Sequence, residues 1–501
     1  MPEERPTKLS QMCTVPSLFE QDAKGRIGAD LPDEPSDTGE HLAQAIPAHL
    51  LRSGSLPIPE LSEPAVVRHF TRLSSRVLGV DTTFYPLGSC TMKYNPKVNE
   101  VAASLEGFTH VHPAQPQSTV QGVLRICYEL QEALGTLTGL PAVSLQPPAG
   151  AHGEFTALLM IRAYFEDRGE SQRREVIIPD TAHGTNPASA ARCGFVPVAL
   201  KSSSRGRIDP KQLADLVGPQ TACLMITNPN TLGLFEDQIT EVAELVHQAG
   251  ALIYMDGANF NALVARVRPA DCGADLMHIN LHKTFSVPHG GGGPGAGPIC
   301  VREFLRPYLP TPRVEKTEER YCLTTNHPKS IGRVRSFLGN VLNVVRSYTY
   351  IRQLGVEGLR DVSGHAVLNA NYLLALLHEA FEVPFGRRCM HEFVLSATRQ
   401  KHNGVKAMDI AKKLLDYGFH PPTTYFPLIV PEALMVEPTE TENQETLVAF
   451  AQAMLEIARL AEETPHEVTS APRTTPVDRL DELAAARNPV LVWPQNPCEQ
   501  T

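Results

Sequence analysis

Between about residues 120 and 300 short β-rich runs alternate with helical stretches, and this alternation constrains the fold more than any other feature of the chain. The runs are EVIIP, FVPVAL, TACLMIT, ALIYMD, DLMHIN and GPICV; segments such as NPASAARCG and EDQITEVAELVHQAG lie between them. Strands that regularly alternate with helices predict an α/β fold, a mostly parallel sheet with helices on both faces. Two further helical stretches, VLRICYELQEALGTLTG and the end of QPPAGAHGEFTALLMIRAYF, precede it. After about residue 340 the pattern is mainly helical, followed by strand candidates EFVLSA and LIVPEALMVEP, which predicts a second, smaller α+β domain. The expected division is an extended Pro-rich arm over 1–60, a large domain over 61–340, a small C-terminal domain over 341–470 and a tail over 471–501. SEPAVVRHFTRLSSRV predicts a helix capped by Ser62 with Pro64 in its first turn. No internal repeat is present.

The bulk numbers exclude several functions. The 501 residues are 42% apolar and 20% charged, ordinary for a globular protein. A net charge of −10 argues against a surface built for nucleic acid or an anionic membrane. No apolar run approaches the roughly 20 residues a membrane helix needs, and MPEERPTKLSQMC lacks the hydrophobic core of a secretory signal. The ten cysteines are scattered singly, with no C-x-x-C pair, which predicts reduced thiols in a cytosol and no zinc site. Cys90 is read as a structural thiol.

The stretch HINLHKTFSVPHGGGG places one lysine between a strand candidate and four glycines. HGGG is an oxyanion-loop pattern, but the chain has no G-x-S-x-G elbow. Gly290, Gly292 and Gly295 satisfy G-x-G-x-x-G, yet PGAGPICVR runs into a strand rather than a helix, so a Rossmann reading fails. Lys283-Thr284 lacks the glycine of a P-loop. His278 and His282 are four apart, but the intervening INL reads as strand and carries no Glu, so no metal is expected. The glycines are read as backbone that can approach something flat and bulky.

Lys283, at the end of a half-apolar run and beside Phe285, is expected to be desolvated, which favours the neutral amine a Schiff-base nucleophile needs. A carbonyl cofactor such as pyridoxal phosphate demands three more groups. Ala149, Gly150 and Ala151 precede an apolar helix and could offer backbone N–H groups to a phosphate. Asp256, at the end of ALIYMD, precedes the lysine by the length of one helix and one strand; it could face a ring nitrogen or be a simple turn residue. His183, in IPDTAHGTNPASA, could lie on a ring face or bind a carboxylate, with Asn186 capping the helix that follows and Pro187 at its first position. Asn228 and Asn230, in TNPNTLGLFE, end another strand at the same edge.

Taken together, FYPLGSCTMKYNP, QPPAGAHGE, AHGTNPASA, TNPNTLGLFE, YMDGANFNAL, NLHKTFSVPHGGGGPGAGPI and VTSAPRTTPVDRL resemble, in order, the P-protein family of the glycine cleavage system, glycine decarboxylase. The resemblance covers about residues 56–495 and only the lysine-bearing half, subunit 2 of the split form. It implies the fold of type I pyridoxal-phosphate-dependent transferases, with a mixed, mainly parallel sheet of seven strands. It implies pyridoxal 5'-phosphate bound covalently to Lys283, with Asp256 paired to the pyridinium nitrogen and His183 stacked on the ring. His282, Asn228 and the Ala149–Ala151 segment are expected to complete the cofactor site. Ser286 stands where many relatives have Cys, outside the lysine's own role. The implied activity is glycine dehydrogenase (aminomethyl-transferring): decarboxylation of glycine with transfer of the aminomethyl group to the lipoyl group of the H-protein. The implied partners are subunit 1, in a heterotetramer of two copies of each, and the T- and L-proteins of the same cytoplasmic system. The competing readings are another amino-acid decarboxylase of the same fold and a non-catalytic assembly subunit.

Overall fold

A computed structural model describes residues 15–29, 45–54, 56, 58–112, 114–289, 295–318 and 320–491. Most of the glycine loop (Gly290 and Gly292 included), Cys13, Cys498, and 1–14 and 30–44 of the expected arm lie outside the described residues. The chain forms two compact units, one of residues 1–78 with 472–501, the other Gly79–Ala471. In the first unit, helix α1 (Glu63–Ser74) starts where the Ser-Glu-Pro signal predicts. Ser62 is at the N-cap, but its hydroxyl makes no capping bond, so Pro64 in the first turn carries the start signal.

The second unit is built on a seven-stranded sheet of order β1-β7-β6-β5-β4-β2-β3. Its strands are β1 (Ala142–Ser144), β2 (Glu175–Pro179), β3 (Val196–Leu200), β4 (Thr221–Thr227), β5 (Leu252–Gly257), β6 (Leu276–Ile279) and β7 (Ile299–Val301). β3, β2, β4, β5 and β6 run parallel; β7 is antiparallel to both β6 and β1. This is the mixed, mainly parallel sheet expected. Each central strand is buried on both faces, which is why TACLMIT and LIYMD read as continuous apolar runs. The pleat divides them with period two: Ile253 and Met255 join one core cluster, Leu252 and Tyr254 the opposite one. Asp256 therefore falls on the Tyr254 face. That face is covered by α3 (Gly150–Asp167); the other is packed by α2 (Gln121–Thr138).

Downstream, the two helical stretches expected after residue 340 form one run, α6 (Val341–Leu377), broken at Gly355 (φ 63°, ψ −170°). A positive φ that glycine tolerates breaks the run there. The second half of α6, α7 (Ala407–Asp416) and α8 (Gln444–Glu463) bury a separate core around a three-stranded sheet of β10 (Phe393–Ser396), β12 (Ala433–Val436) and β11 (Thr423–Thr424). The remaining strands, β8 (Arg313–Lys316) and β9 (Tyr321–Thr324), form a hairpin. Among the described residues no helix is long and apolar enough to cross a membrane.

Candidate active site

The parallel strands end at one edge, where open α/β sheets bind ligands. Thr227, Asp256 and His278 are register neighbours on β4, β5 and β6, so three polar side chains stand in a row there. After β6, which ends at Ile279, the chain departs from the strand-like reading of INL. Leu281–Thr284 form a single helical turn, and Lys283 comes from it. A cavity of about 190 Å³ opens at this edge, and Lys283, Asp256, His183, His282, Gly150 and Ala151 all line it.

Lys283 is half-buried, and its Nζ donates to the Ser89 carbonyl at 2.5 Å. Asp256 is fully enclosed. Its Oδ2 accepts from Asn186 Nδ2 at 3.1 Å and its Oδ1 from the Ala258 N–H at 2.9 Å. Burial acts to raise its pKa, but His278, these two donors and Lys283 outweigh it, so the carboxyl lies below its ordinary value. Asn186 is not the expected helix cap. α4 (Thr185–Arg192) starts at Gly184, and Asn186 sits inside its first turn, where its amide reaches Asp256. His278, considered in the sequence only as half of a metal pattern, lies beside the carboxylate: Nε2 is 3.6 Å from Asp256 Oδ1, and Nδ1 meets the Tyr254 hydroxyl at 2.5 Å. Burial keeps His278 below the ordinary imidazole value.

His183 sits at the exposed mouth. Its Nδ1 pairs with Thr185 Oγ1 at 2.9 Å, and its ring meets Phe426 edge-on at 5.8 Å. Crowding by neighbouring atoms, then Lys283, lowers its pKa. His282 is pushed down to about 3, mainly by burial and then by Lys283; its Nδ1 accepts the Ala296 N–H at 3.3 Å. α3 brings its first residues, Gly150 and Ala151, to the cavity with Ala149 as N-cap. A helix start leaves its first N–H groups without intrahelical partners. Gly153 is required here: a Cβ on it would stand 2.7 Å from the His278 Cβ and 2.9 Å from the Gly297 carbonyl. Asn228 does not line the cavity. Its Oδ1 accepts the Glu236 N–H at 3.1 Å, and Asn230 is committed to the Gly206 carbonyl and the Leu232 and Leu234 N–H groups of its own loop.

Several cavity residues carried no signal that sequence reasoning used. Glu154, one turn into α3, accepts from Thr185 Oγ1 at 2.8 Å and Ser189 Oγ at 3.1 Å; burial and Asp256 raise it to about 7. Thr227 and Asn280 line the cavity, each with a buried side-chain oxygen that has no partner among the described residues. Thr227 could have been read as a strand-end residue beside TNPN. Lys93, from FYPLGSCTMKYNP, is fully buried below the site. It pairs with Glu440 Oε1 at 2.6 Å and donates to the Thr284 carbonyl at 2.9 Å, bracing the turn that carries Lys283.

Comparison with known proteins gives this geometry a family. The C-terminal domain of glycine dehydrogenase matches residues 362–475, and the class-V aminotransferase family matches residues 155–310. A Listeria monocytogenes protein named "Probable glycine dehydrogenase (decarboxylating) subunit 2" is 55% identical over 481 residues, 95% of this chain and 98% of its own. A Lysinibacillus sphaericus protein of the same name is 55% identical over 476 residues, 95% of this chain and 97% of its own. Among solved structures, glycine decarboxylase (P-protein) of the glycine cleavage system in inhibitor-bound form superposes with a TM-score of 0.72. That match has 23% identity and covers 85% of this chain and 99% of that one, a likeness of fold. Over nearly its whole length, then, the chain belongs to the family of glycine dehydrogenase (decarboxylating) subunit 2.

Proposed function

We propose that the chain is the pyridoxal-phosphate-bearing subunit of a glycine decarboxylase, releasing CO₂ from glycine and passing the aminomethyl group to the lipoyl arm of an H-protein. The carrying observation is that Lys283, Asp256 and His183, from three separate segments, line one cavity at the sheet's carboxyl edge. The cofactor fits the donors present. The partnerless oxygens of Thr227 and Asn280 face the cavity, the helix start offers N–H groups, and Asp256 is held ionised for a ring nitrogen. When bound, pyridoxal phosphate supplies an electron sink for cleavage at the glycine α-carbon.

In this reading Lys283 is the covalent attachment point. Asp256, kept anionic by His278, Ala258 N–H and Asn186, keeps the ring nitrogen protonated. His183, exposed at the cavity mouth, would cover the ring, and Gly150 and Ala151 at the helix start would hold the phosphate. A separate subunit 1 and a lipoyl-bearing carrier protein complete the activity. Borohydride reduction of the purified chain with pyridoxal 5'-phosphate, followed by peptide mapping, is expected to label Lys283; a label on any other lysine refutes the assignment. CO₂ release from glycine is expected to be low for the chain alone and to rise on adding subunit 1 and lipoylated carrier; equal activity without them refutes the split reading.

A further inference from the structure

Beside the Lys283 amine lies a group of side chains that the reading above does not use. His391 and Glu392, just before β10, and Glu437, just after β12, are completely buried, and their ligating atoms lie within 4.8 Å of one another. His391 Nε2 is 3.8 Å from Glu392 Oε1 and 3.9 Å from Glu437 Oε1, and neither imidazole nitrogen has a partner among the described residues. Those separations exceed the roughly 3.4 Å between ligands of a tetrahedral zinc and are too long for direct hydrogen bonds.

The two carboxylates instead grip the backbone. Glu392 Oε2 accepts the Ser89 N–H at 2.8 Å and Glu437 Oε2 the Thr91 N–H at 2.9 Å. Ser89 and Thr91 both have positive φ, 63° and 46°, a left-handed turn that side chains resist. The carbonyl at the start of that turn is the acceptor of Lys283 Nζ. Two buried carboxylates this close cannot both ionise.

We propose that Glu392 and Glu437 are positioning residues for Lys283, holding one proton and one negative charge between them, so that the turn they clamp presents Ser89 O as the seat of the lysine amine whenever it is free of the cofactor. The inference rests on the assignment of Lys283 as the cofactor lysine. Burial raises both carboxyls, Glu437 to about 7. The other groups that feel the Lys283 charge are His391, which burial and Lys283 push down to about 3, Asp256 on β5, His183 after β2, Cys90 in the clamped turn, and the histidines 278, 282 and 289 around the lysine's own turn. Glu440, paired with Lys93, acts on Glu437. None of these provides a second acceptor at the Ser89–Thr91 backbone.

The test uses the cofactor-free chain and its double variant Glu392→Gln/Glu437→Gln. Infrared difference spectra at pH 8 are expected to show a protonated carboxylic acid in the wild type that the double variant loses. Its absence from the wild type, or its persistence in the variant, overturns the proposal; the single variants Glu392→Gln and Glu437→Gln are measured beside it, so that the band is assigned to the pair and not to Glu154 even if the double variant does not fold. At a fixed pH of 8 the rate of condensation with added pyridoxal 5'-phosphate is expected to change several-fold in the double variant with its plateau unchanged, because the charge beside the amine is gone while the acceptors that hold the turn remain. A lower plateau at an unchanged rate would show a merely structural role and overturn it. So would stoichiometric metal in the purified wild type. If mapping places the cofactor on another lysine, the functional assignment fails while the infrared result still stands.

Discussion

Lys93→Met isolates the buried ion pair beneath the Leu281–Thr284 turn. Lys93 and Glu440 retain 1% and 8% side-chain exposure, and Lys93 Nζ also donates to Asn261 Oδ1 at 2.9 Å and the Thr284 carbonyl at 2.9 Å. Burial works against the charged amine, but Glu440 and Tyr350 more than offset it, so its pKa is raised. With a folded pKa above the unfolded one, the stabilisation is fully present below the ordinary lysine value and is lost only as pH rises through the higher folded value. A neutral-pH assay therefore reads the whole effect. Removing one partner of a buried pair leaves the other uncompensated, at about 3–5 kcal/mol. For a cooperative unit the size of Gly79–Ala471, 1 kcal/mol moves the melting midpoint by about 1 °C, so Lys93→Met is expected to melt roughly 3–6 °C lower by calorimetry. Lys93→Met/Glu440→Gln is expected to recover more than half of that, because the stranded charge is gone. A single variant that melts within 1 °C of wild type, or a double variant no better than the single, refutes the reasoning. Because Lys93 also holds Thr284, the single variant is expected to take up pyridoxal 5'-phosphate more slowly.

Three further substitutions probe the cavity and its frame. Lys283→Ala is expected to abolish CO₂ release from glycine with an unchanged circular dichroism spectrum; retained activity counts against the assignment. Asp256→Asn is expected to cost on the order of 100-fold in turnover. Because its folded pKa is lowered, the wild-type contribution is present above the ordinary aspartate value and fades as pH falls through the depressed one, so the variant is expected to lose an acid limb lying below pH 4. Gly257→Ala puts a Cβ 1.8 Å from the His278 carbonyl, a backbone atom of the neighbouring strand, and is expected to destabilise by about 3 kcal/mol in thermal melts.

The sequence by itself determined the α/β alternation, because strands buried on both faces must be apolar throughout and their helices must be amphipathic. It also placed Lys283 and Asp256 at strand ends, since β5 and β6 are consecutive and adjacent. Local pattern misled where one residue serves a distant partner: Asn186 reads as a cap but binds Asp256, and INL reads as strand, whereas a helical turn starts at its Leu281. Only the tertiary structure decided the antiparallel place of β7 and the edge place of β1, the pairing of Lys93 with Glu440, and the gathering of His391, Glu392 and Glu437 against the Ser89–Thr91 turn. Those contacts join residues hundreds of positions apart, and a buried charge paired across such a distance leaves no periodicity in the chain. Its partner is chosen by packing and the cost of desolvation, which exist only once the two cores have formed.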